Sequence, residues 1–252
     1  HYAHRKDVDW DARWKEFEAM CDKYRGCNGP GGYDCAVAVS GGKDSLLTLM
    51  ALARLRDFYP LPFQVEAITL ETGTPGMSFD AVAELCRELD VPYTRIHVPV
   101  YQIVFEERKE KNPCSLCAKL RRGSLNTALT ERGIHKIALG HHYDDAIETL
   151  LMNLLFEGRI GCFQPVTYLD RTGITQIRPL LYCREDDIRR TVERLRLPVV
   201  HNPCPANGST RRQEVKDLIH QLEGRYPDIK QKLFGSLQRY PLYGWNLEQQ
   251  ER

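Results

Sequence analysis

The run Ser40-Gly-Gly-Lys-Asp-Ser45, set between an apolar strand and a helix, constrains this chain more than any other stretch. Tyr33–Val39 is small, apolar and β-branched at its centre, which predicts a buried strand. Leu46–Leu55 is rich in Leu and Ala and long enough to predict a helix. A strand, a glycine-serine turn and a helix together aim backbone N–H groups and the positive end of a helix dipole at phosphate. Gly41 and Gly42 permit close backbone approach, Ser40 and Ser45 carry hydroxyl donors, and Lys43 adds positive charge. The loop is not a Walker A motif, which reads G-x-x-x-x-G-K-S/T. Here Lys43 is followed by Asp44, and Val37 stands where the first glycine would be.

These six residues resemble the pyrophosphate loop of ATP pyrophosphatases, enzymes that split ATP between its α and β phosphates. A glycine pair alone would mean only a tight turn; the flanking strand and helix favour a nucleotide site. At 252 residues the chain fits one large α/β domain with helical additions. Its net charge of +1 gives no global basic field, so any nucleic acid must be held by local patches. Nine cysteines are an odd number for a secreted disulfide framework, and Cys35, Cys86 and Cys183 read as small core residues. No apolar run has the length of a membrane span and no leader is visible at His1–Lys6, so the expectation is a cytoplasmic protein with no membrane partner.

Strand and helix signals alternate along the chain. Strands are expected at Phe63–Leu70, Tyr93–Val98 and Ile134–Leu139, with helices at Ser78–Leu89 and from about Asp145 to Phe156. Such alternation predicts an α/β fold with a doubly wound, Rossmann-like parallel sheet that binds nucleotide at the strands' carboxyl ends. Val166–Leu169 and Ile174–Ile177 flank Asp170-Arg-Thr-Gly173 as a hairpin. An amphipathic helix at 8–27 carries Trp10, Trp14, Phe17 and Met20 on one face, and Asn28-Gly-Pro-Gly-Gly32 ends it. Further helices are expected near Glu185–Leu195, Thr210–Glu223 and Pro227–Gln238. The expected division is an N-terminal helical segment over 1–32, an ATP-binding catalytic domain over 33–205 and a C-terminal helical segment over 206–252.

Cys114-Ser-Leu-Cys117 opens a helix that carries Lys119, Arg121 and Arg122. A C-x-x-C pair at a helix start, beside cations, is expected to have lowered thiol pKa values. It is not thioredoxin-like, because no strand directly precedes it, and no second C-x-x-C completes a zinc site. Cys21 and Cys27 are too widely spaced to supply one. Cys204, in His201-Asn-Pro-Cys-Pro-Ala206, is the favoured third thiol because prolines on both sides fix an exposed turn; Cys162 is its competitor. Three thiolates suit a [4Fe–4S] cluster with one iron left open, and sulfur ligands also suit zinc. The residues alone leave both metals open.

The chain resembles the TtcA family, the tRNA 2-thiocytidine synthetases, from about residue 33 to 240. The matching stretches are the 40–45 loop, Cys114–Gly123, Lys136-Ile-Ala-Leu-Gly-His-His-Tyr-Asp-Asp145, Ile177-Arg-Pro-Leu-Leu-Tyr-Cys-Arg-Glu185, and the run through Cys204 to Arg212-Gln213. The resemblance implies the adenine nucleotide alpha-hydrolase type of sheet and three cofactors: ATP, Mg2+ and a [4Fe–4S] cluster. It implies that Cys114, Cys117 and Cys204 hold the cluster and act in catalysis. Ser40, Gly41, Gly42, Lys43, Asp44 and Ser45 would hold the nucleotide, Leu70 would offer its backbone to adenine, and Gly140 would approach the nucleotide. Asp44 and Asp145 would be catalytic carboxylates, Asp145 binding magnesium or orienting the reacting groups; an N-cap of the next helix is the plainer role for Asp145. Family members often carry a cysteine where His201 stands, and His201 is expected to be a neighbour of the cluster or of the substrate.

The implied activity is adenylation of a pyrimidine C2 oxygen in tRNA, cytidine in the anticodon loop, followed by its replacement with sulfur. A persulfide on Cys114 or Cys117 is the rival to a cluster-held sulfur. The expected partners are tRNA and a cysteine desulfurase or free sulfide, and the expected assembly is a homodimer. Lys119/Arg121/Arg122, Arg189/Arg190/Arg194 and Arg211/Arg212/Lys216 are candidate patches for tRNA phosphates. Three other readings stay open: a 2-thiouridine synthetase, another PP-loop sulfurtransferase, and a zinc-stabilised tRNA-binding module. Amide-forming or lysidine-forming relatives need no cysteine trio.

Overall fold

A computed structural model describes residues 34–60, 63–109, 113–205 and 211–239. The expected helix at 8–27 and the 1–32 segment lie outside them. The first strand is β1 (Cys35–Ala38), followed by α1 (Lys43–Phe58), β2 (Val65–Glu71), α2 (Asp80–Glu88) and β3 (Tyr93–His97). A π-helical turn (Gln102–Glu107), which no sequence signal announces, leads towards α3 (Pro113–Glu131). Then come β4 (Lys136–Ala138), α4 (Tyr143–Phe156), the hairpin strands β5 (Val166–Leu169) and β6 (Ile174–Ile177), and the helices α5 (Glu185–Arg194), α6 (Arg211–Arg225) and α7 (Ile229–Arg239).

The six strands form one sheet in the order β3-β2-β1-β4-β6-β5. Every pairing is parallel except β5 with β6, so the hairpin extends the sheet and leaves one antiparallel strand at its edge. β1 is central because both of its faces are apolar. Cys35, Val37 and Val39 pack with Leu46, Leu49 and Leu52 of α1, Val82 and Leu85 of α2, and Ile188 and Val192 of α5. Ala36 turns to the other face, with Ile68, Leu129, Ile137 and Ile174. Burial pushes the Cys35 thiol up to about 12 and the Cys86 thiol to about 11, and Cys183 is half-buried against the same core. All three therefore behave as the inert core residues expected of them.

After β1 the chain crosses to β2, whereas β4 lies on the other side of β1. The switch point between β1 and β4 opens a crevice at their carboxyl ends, flanked by residues 40–45 and 140–145. A third cluster, Tyr143, Ile147, Leu181, Val215, Ile219 and Phe234, fastens α6 and α7 onto α4 beside it. No helix among the described residues is long and apolar enough to cross a membrane.

Candidate active site

The loop at 40–45 is laced from within. Ser45 is buried and its Oγ donates to the Gly42 carbonyl (2.9 Å) while accepting from the Ser40 N–H (3.2 Å). Its position in the first turn of α1 turns the Ser45 hydroxyl onto the loop's own backbone, whereas Ser40 is exposed. Gly42 is the N-cap and has no side chain to cap with, so the first-turn N–H groups of α1 have no side-chain acceptor there. An anion can take that place.

Gly41 has φ +81°, and a Cβ there would lie 2.7 Å from Val200 Cγ2. Val200 N–H also donates to the Gly41 carbonyl (2.9 Å). The segment carrying Cys204 therefore rests directly on the nucleotide loop. Gly41→Ala is expected to cost about 2–5 kcal/mol, combining a left-handed backbone penalty with overpacking against Val200. Gly42 has φ −73°, and a Cβ there would meet only Ser40 Oγ at 3.6 Å. Gly42→Ala should thus unfold in urea at the wild-type midpoint and lose only nucleotide affinity. An unchanged midpoint for Gly41→Ala would contradict this account.

Across the crevice, Gly140 packs against the loop itself. A Cβ on it would sit 2.9 Å from the Asp44 carbonyl carbon and 3.0 Å from Ser45 N. The close approach that requires glycine here is to protein backbone. Asp145 is not an N-cap: His142 holds that position, and Asp145, in the first turn, accepts from the His142 N–H (3.0 Å). The helix therefore starts earlier than the Asp145 expected, and the Asp145 carboxylate stays at the crevice. His142, almost fully buried, places Nε2 3.6 Å from Asp44 Oδ1 and 3.4 Å from Asp145 Oδ2. Asp44 Oδ1 is buried and accepts no hydrogen bond.

A chain of ion pairs runs from the loop into α6. Lys43 Nζ lies 3.1 Å from Asp44 and 3.0 Å from Glu185 Oε1. Lys216 Nζ meets Glu185 Oε2 (3.1 Å) and Glu148 (3.6 Å), and Arg212 joins Glu148 (2.8 Å) to Asp145 (3.2 Å). Burial works against the Lys43 ammonium, but Asp44 and Glu185 outweigh it and hold its pKa above the usual range. Burial likewise opposes the Glu185 carboxylate, yet Lys43 and Lys216 bring it down to about 2. Burial pushes Glu148 up, and the two cations only partly offset it.

This network corrects one basic patch. Arg212 and Lys216 are half-exposed but tied into ion pairs with Asp145, Glu148 and Glu185, and Arg211 is the more exposed of the trio, over the Phe156 ring (4.9 Å). The periodicity held the clue, since residues 212, 215, 216 and 219 form one helical stripe whose apolar members Val215 and Ile219 are buried. Arg189 and Arg190 pair with Asp186 and Asp187 of their own helix. Lys119, Arg121 and Arg122 remain exposed on α3.

Cys114 and Cys117 lie in the first turns of α3, Cys114 exposed and Cys117 half-buried like Cys204. Burial pushes the Cys117 thiol up; Arg121 pulls it down, and the neighbouring Cys204 and Cys114 push it up again. The lowering expected at a helix start is therefore outweighed at Cys117. Cys114 and Cys204 are each near enough to Cys117 to act on its charge, although no three His, Cys, Asp or Glu side chains among the described residues converge as a single-ion site would. Cys162 lies elsewhere, with Sγ 3.5 Å from the Ala146 carbonyl of α4 and its pKa raised to about 11 by burial. His201 is exposed, and Leu70 lies near the carboxyl end of β2.

A switch-point crevice floored by this loop defines a PP-loop nucleotide enzyme, and the PP-loop domain model matches residues 16–222. The tRNA-cytidine(32) 2-sulfurtransferase of Anaeromyxobacter dehalogenans is 40% identical over 205 residues, covering 80% of this chain and 70% of that protein. The enzyme of the same name from Geobacter sulfurreducens is 38% identical over 219 residues, 85% of each chain. The chain belongs to the TtcA family of tRNA-cytidine 2-sulfurtransferases. Among solved structures it is similar to the U34-tRNA thiolase NcsA from Methanococcus maripaludis, with its [4Fe–4S] cluster: TM-score 0.69 and 27% identity, over 88% of this chain and 78% of that one.

Proposed function

We propose that this chain thiolates tRNA, adenylating the C2 oxygen of a cytidine at the expense of ATP and replacing that oxygen with sulfur. The observation that carries this reading is the Val200–Gly41 hydrogen bond, which joins the Cys204 segment to the nucleotide loop. The C2 oxygen attacks the α-phosphorus and pyrophosphate leaves; a sulfur nucleophile then attacks C2, and AMP departs with the oxygen. The uncapped N–H groups of α1 and the Lys43 ammonium stabilise the charge that builds on pyrophosphate. The buried Asp44 Oδ1, which accepts no hydrogen bond and faces the Lys43 ammonium, suits Mg2+ together with Asp145 across the crevice, since that ion is held by one or two carboxylates together with phosphates. Leu70 meets the adenine ring, and Gly140 keeps the wall of the nucleotide site close to the loop.

Cys114, Cys117 and Cys204 are the donor set for a [4Fe–4S] cluster: soft sulfur atoms spread beyond the grip of a single ion, with Arg121 nearby to offset thiolate charge. When bound, the cluster supplies the iron at which a sulfur nucleophile is held for transfer. The target base must leave its stack to reach the crevice, and the exposed cations of α3 hold tRNA phosphates beside it. A cysteine desulfurase or sulfide supplies the sulfur. The protein works in the cytoplasm, as a homodimer. Identity of about 40% to cytidine enzymes favours cytidine 32 over uridine 34. Anaerobic incubation with tRNA, ATP and sulfide should yield AMP, pyrophosphate and 2-thiocytidine; 2-thiouridine instead would move the assignment to the other base.

A further inference from the structure

We infer that Glu185 is a positioning residue for Lys43, an inference that rests on the proposed ATP chemistry. An ammonium has three N–H donors on a flexible stem, and its direction is set by whatever accepts from it. Here two acceptors are in place, Asp44 at 3.1 Å and Glu185 Oε1 at 3.0 Å, leaving one donor for a phosphate oxygen. Asp44 is the next residue along and moves with the loop. Glu185 reaches across from α5 and ties the ammonium to a separate element.

Glu185 is itself fixed from three directions. Its second oxygen is 3.1 Å from Lys216 Nζ of α6, so one carboxylate bridges two ammonium groups through different oxygens. Its backbone N–H donates to Asp144 Oδ2 (2.8 Å), and Lys230 of α7 holds the other oxygen of that carboxylate, Oδ1 (3.1 Å). α5 packs on α1 through Ile188 and Val192. A surface ion pair would contribute little, but side-chain exposures of 25% for Lys43 and 21% for Glu185 place this one largely out of solvent.

A held ammonium matters most as charge shifts to pyrophosphate, less when ATP first docks. Glu185→Gln keeps the shape and removes the charge. It should lower kcat for AMP formation about ten- to hundred-fold, the range that slight misplacement of a reacting group costs, with the KM for ATP unchanged or lower. Glu185→Asp, which keeps the charge, should recover part of kcat. In a Lys43→Ala background Glu185→Gln should change the single-turnover rate by less than about two-fold, because residues acting as one unit are non-additive. Thermal melts of every variant report folding separately. Should Glu185→Gln melt far below wild type, the same cycle is run with Glu185→Asp, whose kcat must then fall in the Lys43 background only. An unchanged kcat, or an equal loss with and without Lys43, would overturn the inference. A wild-type protein that forms no AMP would instead overturn the ATP reading beneath it.

Discussion

Cys204→Ala is expected to leave anaerobically reconstituted protein without bound iron and without thiolation, whereas Cys162→Ala and His201→Ala retain both. The ground is where the thiols lie. Cys204 is close enough to Cys117 to raise its pKa, whereas Cys162 is turned onto the Ala146 carbonyl of α4. Without Cys204 two thiols from one helix turn remain, one short of the three thiolates that suit a [4Fe–4S] cluster with one open iron. His201 is exposed, and its loss should slow turnover at most. Iron and sulfide content, together with the visible absorbance of each variant, reads the outcome independently of activity. Equal loss of iron in Cys162→Ala and Cys204→Ala would show that the ligand set is misassigned.

Lys43→Ala and Asp44→Asn should each reduce formation of AMP and pyrophosphate on the order of 10²–10³-fold, the cost of removing one preorganised group from a charged transition state. For Lys43 the loss falls on the leaving pyrophosphate, since its ammonium is the loop's one side-chain cation. For Asp44 it falls on metal binding: the amide keeps the shape of a buried oxygen that accepts no hydrogen bond but removes its charge. The Asn variant should therefore need more Mg2+ for half-maximal rate, and the Ala variant should not. Chromatography of labelled ATP separates AMP and pyrophosphate from ADP and phosphate. The latter pair as products would remove the pyrophosphatase reading altogether.

Most of the sheet was legible because its strands are short apolar runs bounded by loops, and the helix starts sit where polar residues meet apolar periodicity. The 40–45 loop was legible because its flanking elements give the glycines a direction. The internal bond of Ser45 is not legible, because it closes on a carbonyl three residues back, at Gly42, only once the loop has its fold. Glu185, Glu148, Arg212 and Lys216 stayed hidden for a different reason. They lie in separate elements, and only the packing of α6 against α4 makes one network of them. The thiol pKa argument failed at Cys117 because a helix dipole can be read from sequence, whereas burial and the approach of Cys204 cannot.

Residues 41 and 200 are far apart along the chain, yet one backbone hydrogen bond and a missing Cβ join them. The protein consequently cannot be cut into an energy module and a sulfur module. A fragment ending before Val200 would keep the whole phosphate loop but expose the flank of Gly41 and lose the third thiol. A fragment bearing the cysteines alone would lack the loop on which Val200 rests. Recombination between relatives should succeed only when both stretches come from the same parent, so the two chemistries are inherited as a unit.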